Sequence, residues 1–374
     1  MYDVRCKMSD GRWIMWLCAA LFTIHCSLFT SCTKEGDIIY QPKPDEEQPA
    51  TTPLVTVIYD PNGLGDRSYN DLIYKGVEAA AKKYGVRTLQ LSPESVEQGL
   101  AYLETMFSQM ESATDTVRRL FVTPSLIFDD YIRSNNRRLE ANPYADLLYL
   151  ETDTPLEGKG STFYIDYFGA MYMSGCMVQY AAREVVSLLL ANSTTLTVRE
   201  AGNGFQAGFN DTKPLNESKP LTLHVRYLSD KPVGGFTVAD STATRIFEEE
   251  LHSLYEEKIN SVTFVPVCGG SMHAFFRAAR SYISSMNYVG VDADMTADKD
   301  YCIFSTLKHI DNVIVDYIGM WLNGSMPKHK RMGLADGITD VTLGSYTYKT
   351  SLSQLNIDSL RQVAIRKEEE RYGK

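Results

Sequence analysis

The sequence predicts an α/β protein folded as two doubly wound, Rossmann-like lobes around a central cleft. Three observations lead there. Past residue 53 about 320 residues remain, a length that usually means two lobes or domains. Strand-like apolar runs alternate with helical segments, the pattern of mostly parallel sheets flanked by helices. Polar loops follow most of those strands, and open parallel sheets bind ligands where strand carboxyl ends turn into helices.

Residues 54–59 form a continuous apolar run fit for a buried central strand. A helix is expected over 71–84, with Ile73, Val77, Ala80 and Tyr84 on one face and Gly85 as its stop. Further strands are expected at 88–91, 120–123, 147–151, 162–166, 195–198, 221–227, 262–268 and 288–291. Helices are expected at 170–190, 239–257, 272–284 and 311–322, with a charged terminal helix over 353–372. Loops worth inspecting are 60–70, 151–155, 201–208, 269–273, 292–294 and 305–308. Chain order assigns 54–157 with 307–340 to the first lobe and 158–306 with 341–352 to the second, leaving 353–374 as a C-terminal helix. The crossings then fall near Thr162, Ser305 and Val341.

The amino terminus has the layout of an export signal over 1–31. Arg5, Lys7 and Arg12 precede an almost unbroken apolar run from Trp13 to Ile24, too short to span a hydrocarbon core that needs about 20 residues. Phe29-Thr30-Ser31-Cys32 resembles the lipobox of bacterial lipoproteins, whose cysteine is acylated. The stretch 32–53 is rich in Pro, Gln, Glu and Thr and is expected to act as an extended tether. Together these features predict an exported chain held to a bacterial membrane by lipid on Cys32.

A formal charge of −10 argues against nucleic acid and against an anionic membrane surface as partners. Of seven cysteines only Cys176, Cys268 and Cys302 lie in the globular part, set in apolar runs that suit buried thiols better than bridges. No metal spacing and no cofactor is expected. Neither a G-x-S-x-G elbow nor a known Cys-His arrangement occurs, so no catalytic residue is assigned.

Five short segments then occur in a telling order. Gly63-Leu64-Gly65-Asp66-Arg67-Ser68-Tyr69-Asn70 with Gly76 to Ala80 comes first, and Gly204-Phe205-Gln206-Ala207-Gly208 second. Cys268-Gly269-Gly270 with Ala278-Ala279, Gly290-Val291-Asp292-Ala293-Asp294 and Ser305-Thr306-Leu307-Lys308 complete the series. The series resembles the basic membrane protein family, the lipid-anchored nucleoside-binding proteins of bacterial ABC importers. That resemblance implies a fold like the type I periplasmic binding proteins, a nucleoside as ligand and an ABC permease as partner.

The residue chemistry suits such a ligand. Tyr69 can offer an aromatic face to a base, and Asn70 can both donate and accept at its edge. Asp292 can accept from a ribose diol while Lys308 donates to an oxygen, the sugar-binding positions that the resemblance implies. Asp153, or Glu151 beside it, can add an acidic contact, and Gly269 and Gly270 allow close approach of backbone N–H groups. Asp66 suits either a ligand contact or capping of its own loop. One departure from the family stands out: Ala201 occupies a position where an aromatic often closes the other side of the base. Tyr164, Tyr167 or Phe205 are the possible substitutes. The alternative readings are a sensor or scavenger without a transporter, and a nucleoside or glycoside hydrolase on the same scaffold.

Overall fold

A computed structural model describes residues 49–373 except 62, 125, 215–218, 232, 238–240, 280–282, 284 and 345–350. Cys32, the expected export signal and most of the expected tether lie outside the described residues. The first sheet comprises β1 (Leu54–Ile58), β2 (Arg87–Leu91), β3 (Arg119–Thr123), β4 (Ala145–Tyr149), β5 (Ser161–Ile165) and β11 (His329–Met332). Its strands are all parallel, in the order β11-β5-β4-β3-β1-β2. The second comprises β6 (Val185–Asn192), β7 (Thr222–Ser229), β8 (Ser261–Val267), β9 (Ser285–Asp292), β10 (Cys302–Lys308) and β12 (Thr339–Leu343). It repeats the arrangement as β12-β10-β9-β8-β6-β7, with only β12 antiparallel to its neighbour. Every residue of β5, β6 and β8 is buried, as expected of strands covered by helices on both faces.

The helices are α1 (Tyr69–Tyr84), α2 (Val96–Ser112), α3 (Asp129–Asn135), α4 (Phe168–Ala181), α5 (Leu196–Asp211), α6 (Ser241–Glu256), α7 (Ser271–Ala279), α8 (Ile310–Leu322) and α9 (Ile357–Tyr372). Both lobes are thus doubly wound. The chain passes between them three times: at 166–167 from β5 into α4, at His309 from β10 into α8, and over 333–338 from β11 into β12. The expected crossings near Thr162, Ser305 and Val341 are each displaced by a few residues. The first two come later because β5 and β10 run on as interior strands of their own sheets, and the third comes earlier because β12 already pairs with β10 from Thr339.

Four local expectations are overturned. The helix expected over 170–190 ends at Ala181, and Val185 onward is the central strand β6. An aliphatic run buried on all sides looks alike in either conformation, and pairing with β7 on one side and β8 on the other decides it. Residues 195–198 are not a strand but the start of α5, launched by the Asn192 carboxamide oxygen, which accepts from the N–H groups of Thr194 (3.1 Å) and Thr195 (2.7 Å). The segments 201–208 and 305–308 are not loops; they lie inside α5 and at the end of β10.

That placement explains the Gly-Phe-x-Ala-Gly segment. Gly204 and Gly208 stand one turn apart on α5 and face α4, where Gly175 completes the contact. A Cβ on Gly208 would fall 2.0 Å from the Tyr172 carbonyl oxygen, and one on Gly175 2.0 Å from that of Phe205. The two helices touch backbone to backbone, a separation only glycine permits. Among the described residues no helix is long and apolar enough to cross a membrane.

At the outer edge of the second lobe Glu250, with a fully buried side chain, sits 3.0 Å from His224 Nδ1 and 2.8 Å from Arg226 Nε, and accepts from Ser187 Oγ at 2.9 Å. The hydrogen bond with Glu250 raises the His224 pKa above the usual imidazole value. A raised folded-state pKa stabilises the fold fully below the unfolded value of about 6.5, and the contribution is lost as pH rises through the folded value. Urea unfolding of wild type and His224→Asn across that window is expected to show a decline in the wild type that the variant lacks. Gly208→Ala is expected to cost at least about 1–3 kcal/mol by overpacking, read in the same assay as a lower midpoint.

Candidate functional site

A cavity of about 270 Å³ opens between the lobes. Each wall is built from the chain just past a strand's carboxyl end. Asp60, Leu64 to Asp66, Tyr69 and Asn70 follow β1, Pro124, Leu126 and Ile127 follow β3, and Glu151 and Tyr167 follow β4 and β5. From the second lobe come Thr195 to Val198 after β6, Val233 to Thr237 after β7, Cys268 to Gly270 after β8, Asp292 closing β9 and Lys308 closing β10. The site occupies the switch region where open α/β sheets hold ligands.

The loop after β1 is tied by two aspartates. Asp66 accepts from the N–H groups of Ser68 (2.8 Å), Asn70 (2.9 Å) and Asp71 (3.2 Å), while Asp71 accepts from Gly65 (2.8 Å) and Arg67 (2.9 Å). Asp66 therefore caps α1, satisfying donors that the first turn leaves open. Burial raises its carboxyl pKa, and these three N–H groups oppose the rise. The capped loop holds Tyr69 half-buried at the cleft, its hydroxyl 3.4 Å from the Pro124 carbonyl oxygen, with Asn70 buried beside it.

Glu151 and Asp292 adopt left-handed backbone conformations, with φ of 57° and 66°. A non-glycine residue held there costs on the order of 1–3 kcal/mol and persists where its surroundings fix it. For Glu151 the surroundings are Lys308, whose Nζ donates at 2.9 Å; both side chains are 3% exposed. Burial raises the Glu151 carboxyl pKa, and the ammonium works against that rise. Lys308 also donates to Thr197 Oγ1 (3.1 Å) and lies 4.7 Å from the centre of the Tyr167 ring. For Asp292 the partners are Ser68 Oγ, which donates to Oδ2 across the cleft (2.9 Å), and the Tyr167 hydroxyl oxygen, which accepts the Asp292 N–H (3.1 Å).

Among the described residues, three buried side-chain oxygens around the cavity have no hydrogen-bond partner: Asn70 Oδ1, Glu151 Oε1 and Thr195 Oγ1. An unmet buried acceptor costs about 1–3 kcal/mol. All three belong to residues that line the cavity, so acceptors stand unmatched within its wall.

The structure brings Asp66, Tyr69, Asn70, Gly269, Gly270, Asp292 and Lys308 together in one cavity. Two expected residues fall elsewhere. Phe205 is fully buried in the second lobe's core, because its helix is pressed onto α4 by the glycine contact. Asp153 is exposed on an adjoining side chamber with Arg133 and Thr194, while Glu151 takes the acidic place in the cavity. Of the aromatic substitutes for Ala201, Tyr164 is core and only Tyr167 reaches the cleft, its ring occupied by Lys308.

The second lobe's aromatic wall is a residue that the sequence reading missed, Phe236. Gly235, at φ 83°, packs so closely on the end of β6 that a Cβ would fall 2.1 Å from the Ala191 carbonyl oxygen. Asn192 donates to the Gly234 carbonyl (2.8 Å) and Ser271 to that of Gly235 (3.2 Å), fixing the turn that presents Phe236. The Gly-Gly-Phe triplet after a strand was the available signal. Among the described residues, no group of three or more His, Cys, Asp or Glu side chains could hold a metal ion.

No family model matches the chain. A stretch of 57 residues is 37% identical to an uncharacterized lipoprotein of Pyrococcus horikoshii, covering 15% of this chain and 14% of that one. In structure the chain is similar to an ABC transporter solute-binding protein of Aeropyrum pernix, with 16% identity and a TM-score of 0.62 over 85% of this chain and 86% of that one. It is also similar to one from Conexibacter woesei, with 13% identity and a TM-score of 0.57 over 86% and 97%. A transcriptional activator of the comK gene from Bacillus halodurans shares the architecture too, with 17% identity and a TM-score of 0.55 over 84% and 95%. What the three solved structures share with this chain is the two-lobed α/β fold.

Removing one partner of a buried ion pair strands the other, at about 3–5 kcal/mol. Lys308→Met is therefore expected to lower stability by that order in chemical denaturation. The double variant Glu151→Gln/Lys308→Met is expected to recover most of the loss.

Proposed function

We propose that the chain is an extracytoplasmic, lipid-anchored binding protein that captures a nucleoside-like ligand between its lobes for import by an ABC-type transporter. The observation that carries this reading is that three residues with unpartnered buried oxygens line a cavity that has an aromatic residue from each lobe. Acceptors without partners suit a ligand rich in hydroxyl and amino donors. Tyr69 and Phe236 suit a flat apolar ring. Asp292 suits a vicinal diol, and Gly269 and Gly270 suit close approach of backbone. The order of motifs along the chain, the lipobox-like segment ending at Cys32 and the solute-binding proteins among its structural relatives all favour the same reading.

Capture would follow from hinge motion of the lobes about the three crossings, a ligand shifting the population toward the closed form. Lys308 in this account is first a partner of Glu151, so its part in binding is to hold that carboxylate with one oxygen turned to the ligand.

A thermal-shift panel of nucleosides, free bases and sugars on the chain lacking its first 32 residues tests the reading, since a ligand raises the melting temperature by mass action. At least one nucleoside is expected to stabilise the protein. Asp292→Ala is expected to weaken that ligand by about 1.5–3 kcal/mol, ten- to hundredfold. Phe236→Ala is expected to weaken it by about 1–3 kcal/mol through lost stacking. No shift with any nucleoside, or release of free base on incubation, would sink the proposal.

A further inference from the structure

The C-terminal helix α9 ends against the crossings that join the lobes. Glu368, buried in its last turns, directs one carboxylate at two of them. Its Oε2 accepts the Gly169 N–H at 2.7 Å, in the first turn of α4 just past the first crossing. Its Oε1 accepts the Leu334 N–H at 2.9 Å, inside the third. Both approaches depend on missing side chains. A Cβ on Gly169 would fall 2.8 Å from Oε2, and one on Gly333 2.3 Å from Oε1.

The same end of α9 grips both lobes. Tyr372 donates its hydroxyl to Glu200 of α5 (2.9 Å), and Arg371 Nη2 donates to the other Glu200 oxygen (2.9 Å). The Arg371 guanidinium also lies over the Phe168 ring at the start of α4. Toward the first lobe, the Tyr372 ring carries the guanidinium of Arg331 on β11, 4.5 Å from its centre, and that guanidinium also pairs with Asp166 at the first crossing.

We infer that α9 is a hinge strap and Glu368 a positioning residue that sets the angle between the lobes. Hinge motion changes backbone torsions within the crossings, and the carboxylate fastens the second-lobe ends of the first and third crossings together, because Gly169 opens α4 and Leu334 packs beside it in the second lobe's core. A single carboxylate can hold both only while the two crossings leave the second lobe along these paths. In that geometry the cleft-spanning bonds Ser68 to Asp292 and Lys308 to Glu151 are also made. Glu368 therefore favours the lobe angle at which those bonds form, without touching anything in the cavity. This inference does not rest on the identity of the ligand.

Its test needs no ligand. Ketone-bearing residues at the exposed positions Lys82 (α1) and Glu248 (α6) let nitroxides be attached to the full chain without involving its cysteines. Electron–electron double resonance then reads the lobe-to-lobe distance. Glu368→Ala is expected to shift the distribution toward longer separations. Glu368→Gln, which keeps the shape but turns an amide donor toward one N–H, is expected to shift it less. Arg361→Ala, which breaks the pairing of α9 with Asp340 within the second lobe, is expected to leave it unchanged. A lower melting temperature with an unshifted distribution in both Glu368 variants would overturn the inference and make the residue purely structural. Failure of both to fold would overturn it equally, by making the carboxylate a requirement of folding rather than of hinge angle.

Discussion

Glu151 and Lys308 come from different sheets, each from the carboxyl end of a buried strand, and meet where neither is open to solvent. Two charges removed from water are tolerable only if they stay together. The pair consequently restricts how the two lobes can face each other. It also divides the work of the cleft. Lys308 spends its charge on Glu151, its remaining reach on Thr197 and its contact surface on Tyr167, so the ammonium behaves as part of the wall. Glu151 keeps one oxygen unmatched, as do Asn70 and Thr195 in the same wall.

Much of the architecture was legible because parallel strands in a two-faced sheet are apolar throughout and punctuated by turn residues. Residues 54–59 and 262–268 could hardly be anything else. The failures share one cause. Residues 170–181 and 185–190 are both mostly apolar and buried, parted only by Ala182-Arg183-Glu184, so periodicity does not tell the helix α4 from the strand β6, and partners far along the chain distinguish them. Once that boundary was missed, α5 was displaced into a short strand and a loop.

The site was legible wherever a residue sits at the end of a recognisable strand. Asp292 follows β9's apolar run directly, and the capped loop at Asp66 to Asn70 announces itself by aspartates and glycines around a helix start. Phe236 was not, because it stands in an irregular turn whose position depends on Gly235 lying against Ala191, a contact between separate segments. Phe205 misled for the opposite reason. An aromatic flanked by glycines reads as a flexible ligand loop, yet here the glycines are spaced for a helix and the ring points into the core.

The glycine contact between α4 and α5 has a consequence for how such chains are recognised. Gly204 and Gly208 answer to the carbonyls of Phe168 and Tyr172, not to anything in the cleft. A sequence pattern anchored on them will therefore gather proteins that share this helix pair, whatever their clefts do. Ligand class has to be read from positions that selection can vary without disturbing that contact, and the turn bearing Phe236 is such a place.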